Sequence, residues 1–295
     1  MSGYAVRALG VLRELTNSPN RETDDALILK AVVSELSRLG VDAGVMTPEE
    51  FDACDPAAYD LVLPMCESYA RLKRLSTLSG ARPLLVNPPE AVLNCYRTRM
   101  VPMLSADPRV NFPPSEIRRV EDAASAPPGA FDAPEGWWVK RGDVHNTCDH
   151  DVVRVREWRE MKGVCADFRS REITHVVIQP HIPGDLIKFY GVGPGRWSAW
   201  FYHDPGQIRG LPFETDELAA MAAAAAEAMG LEVYGGDAIV SPERRLTVID
   251  INSWPSFAKV RGGAAPQIAR HLHGKFLAPV RRRPTPEAER RKRTS

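Results

Sequence analysis

The chain lacks any Cys-x-x-Cys pair, and its five cysteines, Cys54, Cys66, Cys95, Cys148 and Cys165, are scattered and odd in number. That excludes a disulfide framework and a closely spaced zinc site, and it suits a reducing, cytoplasmic setting. It also lacks any run near the ~18 apolar residues of a spanning helix, and no apolar stretch follows a basic start, so no membrane partner is expected. No internal repeat is present. Neither charge dominates: basic and acidic side chains both number 38, of which residues 281–295 hold seven and two. The remaining 31 basic against 36 acidic groups make a mildly acidic body, which argues against specific nucleic-acid recognition. The Arg-rich 281–295 segment has almost no apolar residues, so a disordered tail is expected there.

What is present is enough apolar residue, 44% of 295, for two or three packed lobes. Over residues 1–90, strand and helix alternate. A β-rich start is followed by a helix over 24–39 that Gly40 ends, a strand over 41–46, a Thr47/Glu50 capping box, and strands over 59–65 and 84–86. This spacing predicts a small parallel α/β domain, whose ligand-facing loops lie at the carboxyl ends of its strands. Arg13, Asn20 and Arg21, in the loop after the first strand, are either ligand contacts or solvated loop residues.

From Asn94 a helix runs to Leu104, and a Pro- and Ala-rich connection reaches Gly136. A strand over 137–140 then delivers Lys140 to its end, before a loop whose lone Gly142 makes a poor phosphate cradle. A buried strand over 174–182 is ended by Pro180. An aromatic antiparallel pair follows over 185–192 and 197–202, in which alternation sets Lys188 with Leu186 and Tyr190, either at a site or snorkelling to solvent. An Ala-rich helix over 217–229 is capped by Gly230. A hairpin and a closing helix over 266–272 complete the pattern.

The hairpin carries the strongest chemical signal. Asp237–Val240 and Leu246–Ile251 flank a polar break, and a loop symmetric about Glu243-Arg244 sets Ser241 opposite Leu246 and Asp237 opposite Asp250. Opposed carboxylates destabilise a strand pair unless a cation lies between them. Asp250 and Asn252 share a face, so Asp237, Asp250 and Asn252 present three hard oxygen donors, a set suited to Mg²⁺. The other reading is an exposed hairpin with acidic residues on its wet face. Repulsion between the two aspartates predicts that Asp250→Asn leaves stability undiminished.

Asp, a short hairpin, then Asp-x-Asn-x-x-Pro resembles the metal-binding hairpin of the ATP-grasp superfamily. The segment Ile249-Asp250-Ile251-Asn252 with Pro255 is similar to that of the inositol polyphosphate kinases within it, and the chain more broadly resembles the ribosomal-protein glutamate ligase-like carboxylate–amine ligases. The resemblance implies an α/β (α+β) ATP-grasp fold. An N-terminal parallel α/β domain would span 1–90, a nucleotide-binding lobe 91–180, a C-terminal lobe with the metal hairpin 181–280, and the tail 281–295.

It further implies ATP and Mg²⁺, two ions or Mn²⁺ in their place, held by Asp237, Asp250 and Asn252. Lys140 and Arg99 would contact the nucleotide phosphates, and Gln179 with the backbone of His181 and Ile182 would read adenine. Lys188 would reach the transferred phosphoryl group, with Lys140 as its catalytic partner. Arg13, Asn20, Lys188 and Ser256 would face the acceptor, while His145 is either a lid residue or a surface imidazole. The implied activity is an ADP-forming ligase that joins a carboxylate to an amine or other nucleophile, with a small-molecule or peptide acceptor. A small-molecule kinase of the inositol polyphosphate kinase type is the alternative, and a nucleotide-binding protein without turnover is the third reading.

Overall fold

The computed structural model describes residues 6–15, 22–78, 83–143 and 148–277. The expectations for Asn20, Arg21, His145 and the 281–295 tail lie outside them. In chain order the principal elements begin with β1 (Arg7–Val11), α1 (Glu22–Arg38), β2 (Asp42–Met46), α2 (Pro48–Asp52), β3 (Leu61–Pro64), α3 (Tyr69–Ser76) and β4 (Leu84–Leu85). There follow α4 (Pro89–Asn94), α5 (Arg97–Ala106), β5 (Glu116–Arg119), β6 (Trp137–Arg141), β7 (Val152–Val155), α6 (Met161–Ser170) and β8 (His175–Pro180). The chain continues through β9 (Asp185–Val192), β10 (Trp197–Tyr202), α7 (Thr215–Met229), β11 (Val233–Val240), β12 (Leu246–Ser253) and α8 (Arg261–Leu272). No helix among the described residues is long and apolar enough to cross a membrane.

Two compact units result, whose described residues are 6–14, 22–78, 83–89 and 256–277 in one and 15, 90–143 and 148–255 in the other. The first is built on a parallel sheet of order β2-β1-β3-β4. Leu9, Val11 and Val62 pack with Phe51, Cys66 and Leu75 on one side of it. The Thr47 capping box forms, with Glu50 N–H donating to Thr47 Oγ1 at 3.2 Å and Thr47 N–H to Glu50 Oε2 at 2.8 Å. The sequence keeps the closing helix with the C-terminal lobe; instead α8 packs on α1 in this first unit.

The second unit holds two antiparallel sheets, β5-β8-β6-β7 and β10-β9-β11-β12. The first packs its Val139, Val155, Val176 and Ile178 face on Met161, Cys165 and Phe168 of α6. The second packs Ile187, Phe189, Ala238, Val248 and Ile251 on α7 and α5. The alanines of α7 let that helix lie close to the strands, and Gly230, with φ +76°, ends it. Four of the principal elements escape the sequence pattern: α4, β5, β7 and α6. In β5 the run Glu-Ile-Arg-Arg has no apolar face of its own; Arg118 pairs with Glu116 at 2.6 Å and its guanidinium lies over Trp158.

The β11–β12 register brings Asp237 opposite Asp250, but by a different route from the one predicted. Val240, not Ser241, faces Leu246, so the tip is offset by one residue. A β-bulge beside Asp237 and Ala238 then restores the frame, with Ile249 as the extra residue of β12. The bulge reverses the alternation of side chains. Val248 and Ile251 both enter the α7 core although three positions apart, and Asp250 and Asn252 face away from it. Were the same residues paired by strict alternation with no bulge, Asp250 and Asn252 would share Val248's face and be driven under the alanine helix.

Candidate functional site

Register across β9, β11 and the edge strand β12 sets Lys188, Asp237 and Asp250 side by side in one lateral row. Lys188 Nζ donates to Asp237 Oδ1 at 2.8 Å. Asp250 Oδ2 accepts from Arg97 Nη2 at 3.0 Å, and the Arg97 side chain, 1% exposed, also donates to the Arg141 carbonyl at 3.1 Å. Each opposed aspartate therefore has its own cation from the chain. The repulsion expected from the sequence is compensated by Lys188 and Arg97, so the pairing of Asp237 with Asp250 does not by itself require a metal.

Lys140 enters from the other sheet of the same unit. Its strand position faces Val177 in β8, and its Nζ donates to the carbonyl of the bulge residue Ile249 at 3.1 Å. The side chain is buried, and loss of hydration pushes its ammonium down to about 8; Arg97 acts in the same direction, against the pull of Asp250 and Asp237. A lysine so close to neutrality, packed beside two carboxylates and a guanidinium, is a costly arrangement for stability alone.

Asn252, in the row next to Asp250, decides whether a cation fits. Its Oδ1 is buried and has no hydrogen-bond partner among the described residues. Beside Asp237 and Asp250 it completes a set of hard oxygens, the donor type Mg²⁺ and Mn²⁺ take. Among the described residues no group of three His, Cys, Asp or Glu side chains gathers, so a cation here would rest on two carboxylates and this amide oxygen.

Gln179 lies on the same sheet face as Lys140, opposite Trp138 of β6, and its Nε2 donates to Ser115 Oγ at 2.8 Å. Just past the strand, the His181 N–H is taken by the Gly136 carbonyl at 2.9 Å, and Trp138 Nε1 donates to His181 Nδ1 at 3.0 Å. The Ile182 N–H enters no backbone hydrogen bond among the described residues, which makes it, rather than the His181 N–H, the open donor at this strand end. Burial lowers the affinity of the His181 imidazole for a proton, and the Trp138 bond requires Nδ1 to be bare.

Three expected residues have surroundings of their own within their units. Arg99 is 45% exposed and pairs with Glu90 at 2.7 Å, away from the aspartates. Arg97 takes the inner position, and the helix spacing carries the signal: Arg97, Met100, Val101 and Leu104 recur at i, i+3, i+4 and i+7 and are all buried. Arg13 is held between Asp25 at 3.3 Å and Glu67 at 3.2 Å, which fixes the loop ends of the first unit. Ser256 is buried in that same unit, between the left-handed residues Trp254 (φ +44°) and Phe257 (φ +51°). Gly142 is a close-packing position: a Cβ there would sit 2.9 Å from the His175 carbonyl oxygen and 3.0 Å from Thr98 Cγ2.

No protein-family model and no curated protein sequence matches the chain. Solved structures do. The D-alanine–D-alanine ligase of Coxiella burnetii superposes with a TM-score of 0.67 at 14% identity, covering 93% of this chain and 96% of that one. The VanG D-Ala:D-Ser ligase of Enterococcus faecalis gives 0.67 at 14% identity over 92% and 99%. A RimK-domain ATP-grasp protein from Sphaerobacter thermophilus gives 0.65 at 15% identity over 90% and 99%. At these identities the likeness speaks for architecture, and with the parallel sheet and two antiparallel sheets described above it gives this chain the ATP-grasp fold.

Proposed function

We propose that the protein is a Mg·ATP-dependent, ADP-forming ligase. A carboxylate substrate would take the γ-phosphoryl group of ATP to form an acyl phosphate, and an amine or other nucleophile would then displace phosphate from the acyl carbon. The observation that carries this reading is the row of Lys188, Asp237 and Asp250, with Arg97 bonded to Asp250 and Lys140 to the neighbouring Ile249 carbonyl, on the strand face that also bears the orphaned Asn252 oxygen. Phosphoryl transfer asks a protein chiefly for positioned charge in a water-poor site.

In this reading Asp237, Asp250 and Asn252 hold the divalent metal, two ions of Mg²⁺ or Mn²⁺, which would neutralise phosphate charge. Lys140 and Arg97 meet phosphates already present in the bound nucleotide. Lys188, at the edge of the row, reaches the charge that grows on the transferred group. Gln179 and the Ile182 amide read the base. Ligation is preferred to phosphorylation of a hydroxyl because the similar structures named above include two ligases; the acceptor is a small molecule or a peptide.

The test is to incubate the protein with Mg·ATP and pools of amino acids, short peptides or inositol phosphates, and to follow ADP and free phosphate together. A ligase releases both in equal amounts only when carboxylate and nucleophile are present. ADP without free phosphate, with a phosphorylated product, would overturn ligation in favour of a small-molecule kinase.

A further inference from the structure

Ser115 lies directly before β5, whose ladder with β8 starts at Glu116 opposite Ile178; continued by one step that register brings Ser115 to Gln179, which Trp138 faces from β6, and the side chains of Ser115 and Gln179 are hydrogen-bonded. Ser115 has a single hydroxyl proton, and it is committed: Oγ donates to the Pro113 carbonyl at 2.8 Å. A carbonyl can only accept, so the direction of that bond is fixed. Toward Gln179 the serine oxygen can then only accept, and the contact at 2.8 Å must come from the amide nitrogen. The polarity of the Gln179 side chain follows. Its NH₂ is turned to Ser115, and Oε1 is the free edge, with no hydrogen-bond partner among the described residues.

We infer that Ser115 is a positioning residue for nucleobase selection: by holding the Gln179 amide in one orientation, it makes the site favour a 6-aminopurine nucleotide over a 6-oxopurine one. This rests on the reading of Gln179 as the residue that meets the base. The exocyclic amine of adenine donates to Oε1, whereas the 6-oxo group of hypoxanthine would set oxygen against oxygen. For the amide to flip and donate to a 6-oxo group, Ser115 would have to turn its proton toward Gln179, leaving the carbonyl of buried Pro113 without its donor. Trp138, the next residue in the row, is held by its own bond to His181 and offers no alternative donor.

The experiment measures dissociation constants of Mg·ATP and Mg·ITP for the full chain and its variants, with thermal unfolding to confirm that each is folded. The parent is expected to prefer ATP by about tenfold or more, the value of one well-formed hydrogen bond. Ser115→Ala should narrow the preference to within about threefold, chiefly because ITP binds more tightly while ATP binding holds. Ser115→Thr, which keeps the hydroxyl, should behave like the parent. In the double variant Ser115→Ala with Gln179→Glu, a carboxylate that can only accept should restore the preference for ATP. An unchanged ATP/ITP ratio in Ser115→Ala, with Gln179→Ala abolishing it, would overturn the role of Ser115. If Gln179→Ala leaves both affinities untouched, the assignment of the base to this strand end fails instead.

Discussion

Replacing Lys140 by methionine should stabilise the free protein while weakening its hold on ATP. The substitution keeps length and removes the charge. An ammonium that ordinarily titrates near 10.5 and is held at about 8 costs the fold about 3 kcal/mol at pH 7. Against this, the Ile249 carbonyl loses its donor, a loss of about 1–2 kcal/mol. A net gain of about 1–2 kcal/mol is expected at pH 7. The folded value lies below the unfolded one, so between pH 8 and 10.5 the unfolded chain binds more protons and parental stability rises with pH. By pH 9.5 most folded molecules carry a neutral Lys140, its cost falls to about 1.5 kcal/mol, and the advantage of Lys140→Met disappears. Urea unfolding of both proteins at the two pH values reads the difference directly, since other titrating groups cancel between them. A loss of about 2 kcal/mol at pH 7, or a difference that ignores pH, would show that the buried ammonium is not under strain.

Asp250→Asn should abolish ATP turnover and also lower stability by about 3 kcal/mol, because buried Arg97 loses its counter-charge; this reverses the expectation drawn from repulsion alone, and calorimetry on the free protein decides between them. Arg97→Ala should raise the ATP concentration for half-saturation and destabilise by about 3 kcal/mol. Arg99→Ala, removing an exposed pair, should stay within about 0.5 kcal/mol and leave ATP-dependent ADP release unchanged; equal effects of the two arginine changes would remove the assignment. Lys188→Ala should lower the turnover number by about a hundredfold with a smaller effect on half-saturation than Lys140→Met shows, the split expected of a group that meets developing rather than existing charge.

The fold was legible because its signals are local and repeated. Alternation in Trp137–Lys140 and Asp185–Val192, the cap at Thr47 and the stop at Gly230 each state one element, and the motif around Asp250 names the architecture that joins them. The site was legible in part. Asp237 came opposite Asp250 in the prediction through two opposite errors, a tip offset by one and an unseen bulge. The Thr98-Arg99 dipeptide points to the wrong arginine, and helix periodicity places Arg97, two residues earlier, on the buried face. The cations that neutralise the aspartates come from residues 49 and 153 positions away along the chain. No short-range pattern encodes such a contact. The strand β5, with Ser115 at its threshold, was invisible for a related reason: its polar side chains are satisfied by tertiary partners that the local sequence does not show.

The bulge at Ile249 also divides the hairpin into segments with opposite tolerance to changes in chain length. Residues gained or lost at the tip, 241–245, lengthen or shorten a solvated turn and leave Asp250 and Asn252 facing as they do. One residue lost between Val248 and Asp250 would remove the bulge and leave the facing as it is, since Val248, Asp250, Ile251 and Asn252 would then alternate in the ordinary way opposite Ala238, Asp237, Gly236 and Gly235. One residue gained there, in a strand that keeps its single bulge, would instead turn the motif over, sending both donors into the alanine-lined core and Ile251 out of it. When relatives of this chain are aligned, a single gap at that point is therefore compatible with the site, whereas a sequence of the same spacing paired without the bulge would retain the letters and lose the site.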